Sequence, residues 1–125
     1  MLLAQDNRVN QEVGRTMMEA LGCRVDVASN GHEVLSSVAS GIYDVIVMDC
    51  RMPDMDGLEA ARLIRGREKV EGGQRTAIIG VAGAFSDSER SRCLDAGMDD
   101  CLVKPFHIRE LSEMMARWLG RFIWV

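Results

Sequence analysis

The sequence predicts an α/β fold, a five-stranded parallel sheet with helices on both faces. Three observations predict it. Five strand-like runs recur along the chain, at residues 1–4, 24–28, 43–48, 76–81 and 101–103. Each is followed by a stretch whose apolar residues return every three or four positions, as on one face of a helix. Gly22, Gly41 and Gly97 stand where three of those stretches stop, the usual place for glycine past a helix end. Strands alternating with helices pair in parallel through right-handed crossovers.

Met1 to Ala4 reads as a buried strand that ends at Gln5-Asp6-Asn7. It starts at the first residue, as expected for a piece of a longer protein or a trimmed chain. Val9, Val13, Met17, Ala20 and Leu21 mark the first helical face. Arg24 to Ala28 alternates polar and apolar, as a half-exposed strand does, and Ser29-Asn30-Gly31 turns the chain. Val34, Leu35 and Val38 mark a second helix. Tyr43 to Met48 is apolar after Asp44, which predicts a central strand covered on both faces. It runs straight into Asp49, and a turn rich in Pro, Asp and Gly follows.

Leu58, Ala61 and Ile64 give the third helical face, with Arg62, Arg65 and Arg67 off it, and residues 70–75 read as a loop. Thr76 to Val81 is the fourth strand. Ser86-Asp87-Ser88-Glu89 fits a capping box that starts a helix. Cys101 to Val103 is a short fifth strand ending at Lys104-Pro105. Ile108, Leu111, Met115, Trp118 and Leu119 mark the last helix. The apolar tail, Arg121 to Val125, has no assigned place. The domain is expected to cover 1–120.

Composition narrows the class. The 125 residues suit one domain, 47% hydrophobic and 27% charged, with a net charge of -4. No basic stripe of the kind a nucleic-acid binder needs is present. No apolar run approaches the ~20 residues that span a bilayer. Met1 to Ala4 lacks a basic lead, so no signal peptide is expected, and the composition is that of a soluble intracellular domain. The four cysteines form no C-x-x-C and lie at no metal-ligand spacing from His32 or His107, so they read as reduced, mostly buried thiols.

In open α/β sheets, sites form beyond the carboxyl ends of the strands. The first strand delivers Gln5 and Asp6 there, the third Asp49, the fourth Ala82 and Gly83, the fifth Lys104. Two carboxylates and a lysine at one edge suit a divalent ion and a small oxyanion. Mg²⁺ is held by one or two carboxylates, waters and phosphate oxygens, and a lysine offers a compact charge to a phosphoryl group. An aspartate can itself be the attacking nucleophile. Any one of these residues alone would read as an ordinary strand-closing charge; three at corresponding strand ends read as a site. Competing chemistries lack their motifs. The chain has no G-x-x-x-x-G-K-[ST], no G-x-G-x-x-G after its first strand and no G-x-S-x-G. Cys50 reads as a packing thiol, because the adjacent carboxylate raises its pKa. His32 and His107 read as solvent-facing helix residues.

Four segments carry a family resemblance: DNRVNQ (Asp6 to Gln11), VMDCRMPDMDGLEA (Val47 to Ala60), CLDAGMDDCLVKPF (Cys93 to Phe106) and ARWL (Ala116 to Leu119). Together they make the chain, from Leu2 to Leu119, resemble the receiver domain of two-component signalling proteins, most like receivers attached to hybrid sensor histidine kinases. The resemblance implies a flavodoxin-like fold with strand order 2-1-3-4-5. It implies that Asp49 accepts phosphate from a phosphohistidine of a histidine kinase or histidine phosphotransfer domain. Asp6, Asp49 and the backbone carbonyl of Arg51 would hold Mg²⁺, Lys104 would pair with the phosphoryl group, and the Lys104-Pro105 bond would be cis. It implies a cytoplasmic signalling module, or the cytoplasmic portion of a membrane-bound sensor kinase, that is not a free-standing enzyme. Homodimerisation is left open.

Three positions depart from the family pattern. Gln5 stands where the family usually has an acid, Ala82 where it has a hydroxyl, and Cys101 where it has an aromatic. In the family the hydroxyl bonds the phosphoryl oxygen and the aromatic reorients with it. The expectation is a domain with weakened metal binding that accepts phosphate and responds with a muted change. The runner-up is a pseudo-receiver, a protein-interaction module with little or no phosphorylation. An aspartyl-phosphate hydrolase ranks low, since position 51 is Arg and no cap insertion is present.

Overall fold

The computed structural model describes residues 1–41, 43–72 and 75–119. Its elements run β1 (Leu2–Ala4), α1 (Arg8–Ala20), β2 (Asp26–Ala28), α2 (Gly31–Ser40), β3 (Val45–Asp49), α3 (Gly57–Glu71), β4 (Ala77–Ala82), α4 (Asp87–Asp95), β5 (Asp100–Val103) and α5 (Ile108–Leu119). The five strands form one parallel sheet in the order β2-β1-β3-β4-β5. The expected flavodoxin-like (βα)5 architecture is therefore present. The apolar tail at 121–125, and Gly120 before it, lie outside the described residues.

β3 is central and all five of its residues are buried, as its unbroken apolar run implies. Its side chains alternate between two cores. Ile46 and Met48 pack with Val34 of α2, Ala60, Ala61 and Ile64 of α3, and Cys93 of α4. Val45 and Val47 pack with Met18 of α1 and Leu111, Met114 and Met115 of α5. Each fully buried large aliphatic side chain contributes about 1.5–3 kcal/mol, so both faces are held by many comparable contacts.

Caps fix where helices begin. Asn7, Asn30, Asp56 and Ser86 each accept a hydrogen bond from the backbone N–H three residues on. The helix starts at the predicted cap: Glu89 N–H donates to Ser86 Oγ, and the return bond to Glu89 Oε1 comes from the Ser86 hydroxyl.

Three helix readings need correction. α1 does not bury Val9 and Val13, which are 70% and 55% exposed. It buries Gly14, Met18 and Leu21, because Gly14 lets the helix lie against β1: a β-carbon there would stand 2.8 Å from Leu3 Cδ2. A hydropathy pattern gives glycine no weight, so that face was invisible. α3 continues through Val70 and Glu71, where a loop was expected, and stops at Gly72 with φ of 74°. Arg65 is not a solvated off-face residue; it is half-buried and donates to Gly97 O, Thr76 O, Glu68 and Asp99. Asp99 also accepts from Arg75 and from the Ile78 N–H. This network ties α3 to the amino ends of β4 and β5. In α5 the buried set is Leu111, Ser112, Met114 and Met115, while Ile108 and Trp118 are exposed.

Candidate functional site

The register of the sheet brings the site together. Ala4 pairs with Met48, so one residue further out β1 and β3 deliver Gln5 and Asp49 side by side. Asp49 pairs with Val81 and Ala82 with Val103, which sets Ala82 and Lys104 on the other flank. The Lys104 N–H donates to Ala82 O at 2.8 Å, and the Lys104-Pro105 bond is cis, as the resemblance implies.

Asp49 is buried, yet its two oxygens are treated differently. Oδ2 accepts from Lys104 Nζ at 2.8 Å, while Oδ1 takes a longer 3.2 Å bond from the Arg51 N–H. Lys104 comes from 55 positions along the chain, and its side chain stays 30% exposed. The carboxylate thus meets solvent at one edge beside a partly exposed positive charge. The turn after β3 forms the adjoining wall. Asp54 adopts a left-handed φ of 69°, a conformation aspartate tolerates. Gly57 N–H donates to Cys50 O, and a β-carbon on Gly57 would overlap Asp49 O. Only glycine lets α3 start that close to the acid.

Asp6 is exposed at the same edge, and Arg51 is exposed across from it. Gln5 is only 3% exposed; its main-chain oxygen accepts from Gln11 Nε2, but its side-chain Oε1 is buried with no hydrogen-bond partner. An orphaned buried acceptor is costly unless something donates to it. A metal-bound water would do so. Among the described residues no group of three or more metal-ligating side chains occurs. Two carboxylates, a carbonyl and water are the set that Mg²⁺ uses, so the residues present fit that ion.

Ala82 and Cys101, the departures on the far flank, change the ground beside the acid. Ala82 offers no hydroxyl, and Cys101 is buried against Cys93. A cavity of about 140 Å³ opens there, lined by Cys50, Arg51, Ala82, Phe85 and Cys93 among others. Burial first, then the Cys93 thiol, pushes the Cys50 thiol far above the ordinary range and Cys101 up to about 11. Both are protonated at neutral pH in the reduced protein, and Cys50 is buried as expected. His32 and His107 are exposed, also as expected. The sequence reading missed that Cys50, Cys93 and Cys101 meet in space; separations of 43 and 8 residues carry no signal of it.

The family model described as "Response regulator receiver domain" matches residues 1–116. Hybrid signal transduction histidine kinase L of Dictyostelium discoideum is 37% identical over 120 residues, covering 94% of this chain and 7% of that protein. The chain therefore spans a small part of the curated relatives it matches. The receiver domain of sensor histidine kinase PA1611 from Pseudomonas aeruginosa PAO1, solved with magnesium in its active-site cleft, is 41% identical with a TM-score of 0.85, covering 96% of both chains. The receiver domain of Ssk1, solved in complex with the histidine phosphotransfer protein Ypd1 of Saccharomyces cerevisiae, gives a match with a TM-score of 0.91 and 26% identity over 99% of this chain and 90% of that one. A family match along nearly the whole chain, on a parallel sheet that gathers an acid and a lysine at the expected edge, places this chain in the response regulator receiver domain family, the signalling modules of two-component phosphorelays.

Proposed function

We propose that Asp49 is the phosphoacceptor of this receiver, taking a phosphoryl group from a phosphohistidine of a histidine kinase or histidine phosphotransfer domain. The observation that carries this reading is the Asp49–Lys104 pair, a nearly buried carboxylate with one oxygen held by an ammonium and the other on a weak backbone bond. Asp49 Oδ1 attacks phosphorus, the P–N bond breaks, and the histidine ring leaves with the bonding electrons and takes up a proton. Lys104, already within hydrogen-bond reach of the acid, moves its charge onto a phosphoryl oxygen. Asp6, Asp49 and the Arg51 carbonyl would hold Mg²⁺, which when bound would supply charge neutralisation at the phosphoryl oxygens.

The magnesium-bound relative supports the ion, and the Ypd1 complex supports a phosphotransfer partner. Hybrid kinases among the relatives support a parent chain of that kind; a cytoplasmic location is proposed with it. The domain is taken to span 1–120, with 121–125 as a tail. Water attack on the same aspartyl phosphate would return the domain to its resting form. The intact pair opposes the pseudo-receiver reading.

Acetyl phosphate with Mg²⁺ tests the assignment. Intact mass should show a single phosphoryl adduct that Asp49→Asn abolishes. An adduct that survives Asp49→Asn would overturn Asp49 as the acceptor, and none from acetyl phosphate or any phosphotransfer protein would leave the pseudo-receiver.

A further inference from the structure

Three of the four cysteines form a cluster on the face that packs α4. Cys50 Sγ lies 3.7 Å from Cys93 Sγ, and the buried Cys101 thiol lies in the same cluster, where it interacts with Cys93. Cys93 is thus central. The cluster has space because β4 carries Gly80, where a β-carbon would stand 3.2 Å from Cys50 Sγ. Cys50 and Cys93 both line the cavity beside Ala82, which opens toward the exposed Arg51.

Cys93 has a second distinction. Among the nine residues of α4 it is the one that is buried. Apart from Leu94, which is exposed, the helix is polar elsewhere, so its hold on the sheet rests mainly on that thiol, with Ala96 and Met98 following it. Cys50 occupies the opposite position: it follows Asp49 directly, and its N–H is fixed to Val81 O at 2.9 Å. One thiol sits on the rigid sheet and the other on its most lightly held helix. A disulfide needs the two sulfurs about 2.05 Å apart. Closing the gap therefore takes about 1.6 Å, a shift that a helix with one buried anchor can make.

We propose that Cys50 and Cys93 form a reversible disulfide under oxidising conditions, with Cys101 as the exchange partner of Cys93, tying α4 to the strand end that carries Asp49. With hydrogen peroxide as oxidant, the Cys93 sulfur attacks one peroxide oxygen. The O–O bond breaks, the sulfur becomes a sulfenic acid, and one water leaves. The Cys50 sulfur then attacks the sulfenic sulfur. The S–S bond forms, the S–O bond breaks, and the hydroxide takes the Cys50 proton as a second water. Two thiols and one peroxide give one disulfide and two waters. Cys101, against Cys93, is placed to exchange onto that sulfur and release Cys50. The bridge goes beyond phosphoryl transfer and does not depend on it.

The test uses the reduced 125-residue protein treated with peroxide, then alkylated and digested. Trypsin leaves Cys50 on one peptide and Cys93 with Cys101 on another, since no Lys or Arg lies between Cys93 and Cys101. Expected are a loss of two hydrogens in the intact monomer, a cross-link between those peptides, full reversal by dithiothreitol, and at least tenfold slower amide exchange across 87–95. Cys101→Ser keeps the cross-link, which guards against loss through misfolding, and Cys93→Ser removes it. Oxidation that gives only sulfinic or sulfonic acids, a bridge through Cys23 or between molecules, an undiminished loss of two hydrogens in Cys93→Ser, or unchanged exchange in α4 overturns the proposal.

Discussion

Lys104 Nζ donates to Asp49 Oδ2 across 2.8 Å, joining the ends of two strands that do not pair with each other. The pair is lopsided: the aspartate side chain is 8% exposed and the lysine 30%. Removing the lysine leaves a nearly buried carboxylate that water still reaches at one edge. The cost is therefore well below the 3–5 kcal/mol of breaking a fully buried pair. Lys104→Met should lower stability by about 1 kcal/mol in Mg²⁺-free urea unfolding. A loss as large as that of a fully buried pair would show that the charge is structural.

The response to phosphoryl mimicry should be confined. Ala82 has no hydroxyl to reach a phosphoryl oxygen, and Cys101 is a small buried side chain held in the thiol cluster. With beryllofluoride and Mg²⁺, amide NMR shifts should be large at Asp49, Cys50 and Lys104 and small over most of 84–103. Shifts across Ala84 to Phe106 as large as those of ordinary receivers would sink this expectation.

Gln5 is the departure with the clearest cost. Its Oε1 is buried with no partner. A carboxylate in its place adds negative charge beside Asp6 and Asp49. Gln5→Asp should raise Mg²⁺ affinity by roughly tenfold, about 1.4 kcal/mol, and should destabilise the metal-free protein through like-charge repulsion. Titration of Mg²⁺ into both forms, followed by chemical shifts at Asp49, checks the direction.

Asp100 fastens α5 to β5. Burial opposes its ionisation, but hydrogen bonds from the Trp118 indole, the Cys101 N–H and Arg117 outweigh burial and hold its carboxyl below the usual range. A depressed folded pKa adds stability that is fully present above the unfolded value of about 3.9 and is lost as pH falls through the folded one. The Trp118 indole N–H resonance should therefore hold its bonded position at neutral pH and move as pH drops below about 4. In Asp100→Asn that acid step should vanish. An unchanged step would assign it to another carboxylate.

The site was legible because its parts are local. A strand, an acid at its end and a turn of fixed chemistry are readable from β3 and the residues after it alone. Two of the faults in the helical faces, those of α1 and α3, have one cause. Gly14 packs against Leu3 through absence of a side chain, and Arg65 is buried by the partners that neutralise it. Neither effect enters a pattern of apolar spacing.

By itself the sequence determined the element order, the parallel α/β class and the three charged strand ends, since each follows from local periodicity and strand polarity. Only the tertiary structure decided which oxygen of Asp49 meets Lys104, that Gln5 keeps an unpartnered acceptor, and that Cys50, Cys93 and Cys101 gather in one buried cluster. Those relations join residues from strands and helices far apart in the chain. They are set by sheet register and by how closely each helix approaches, quantities fixed only when the whole core packs.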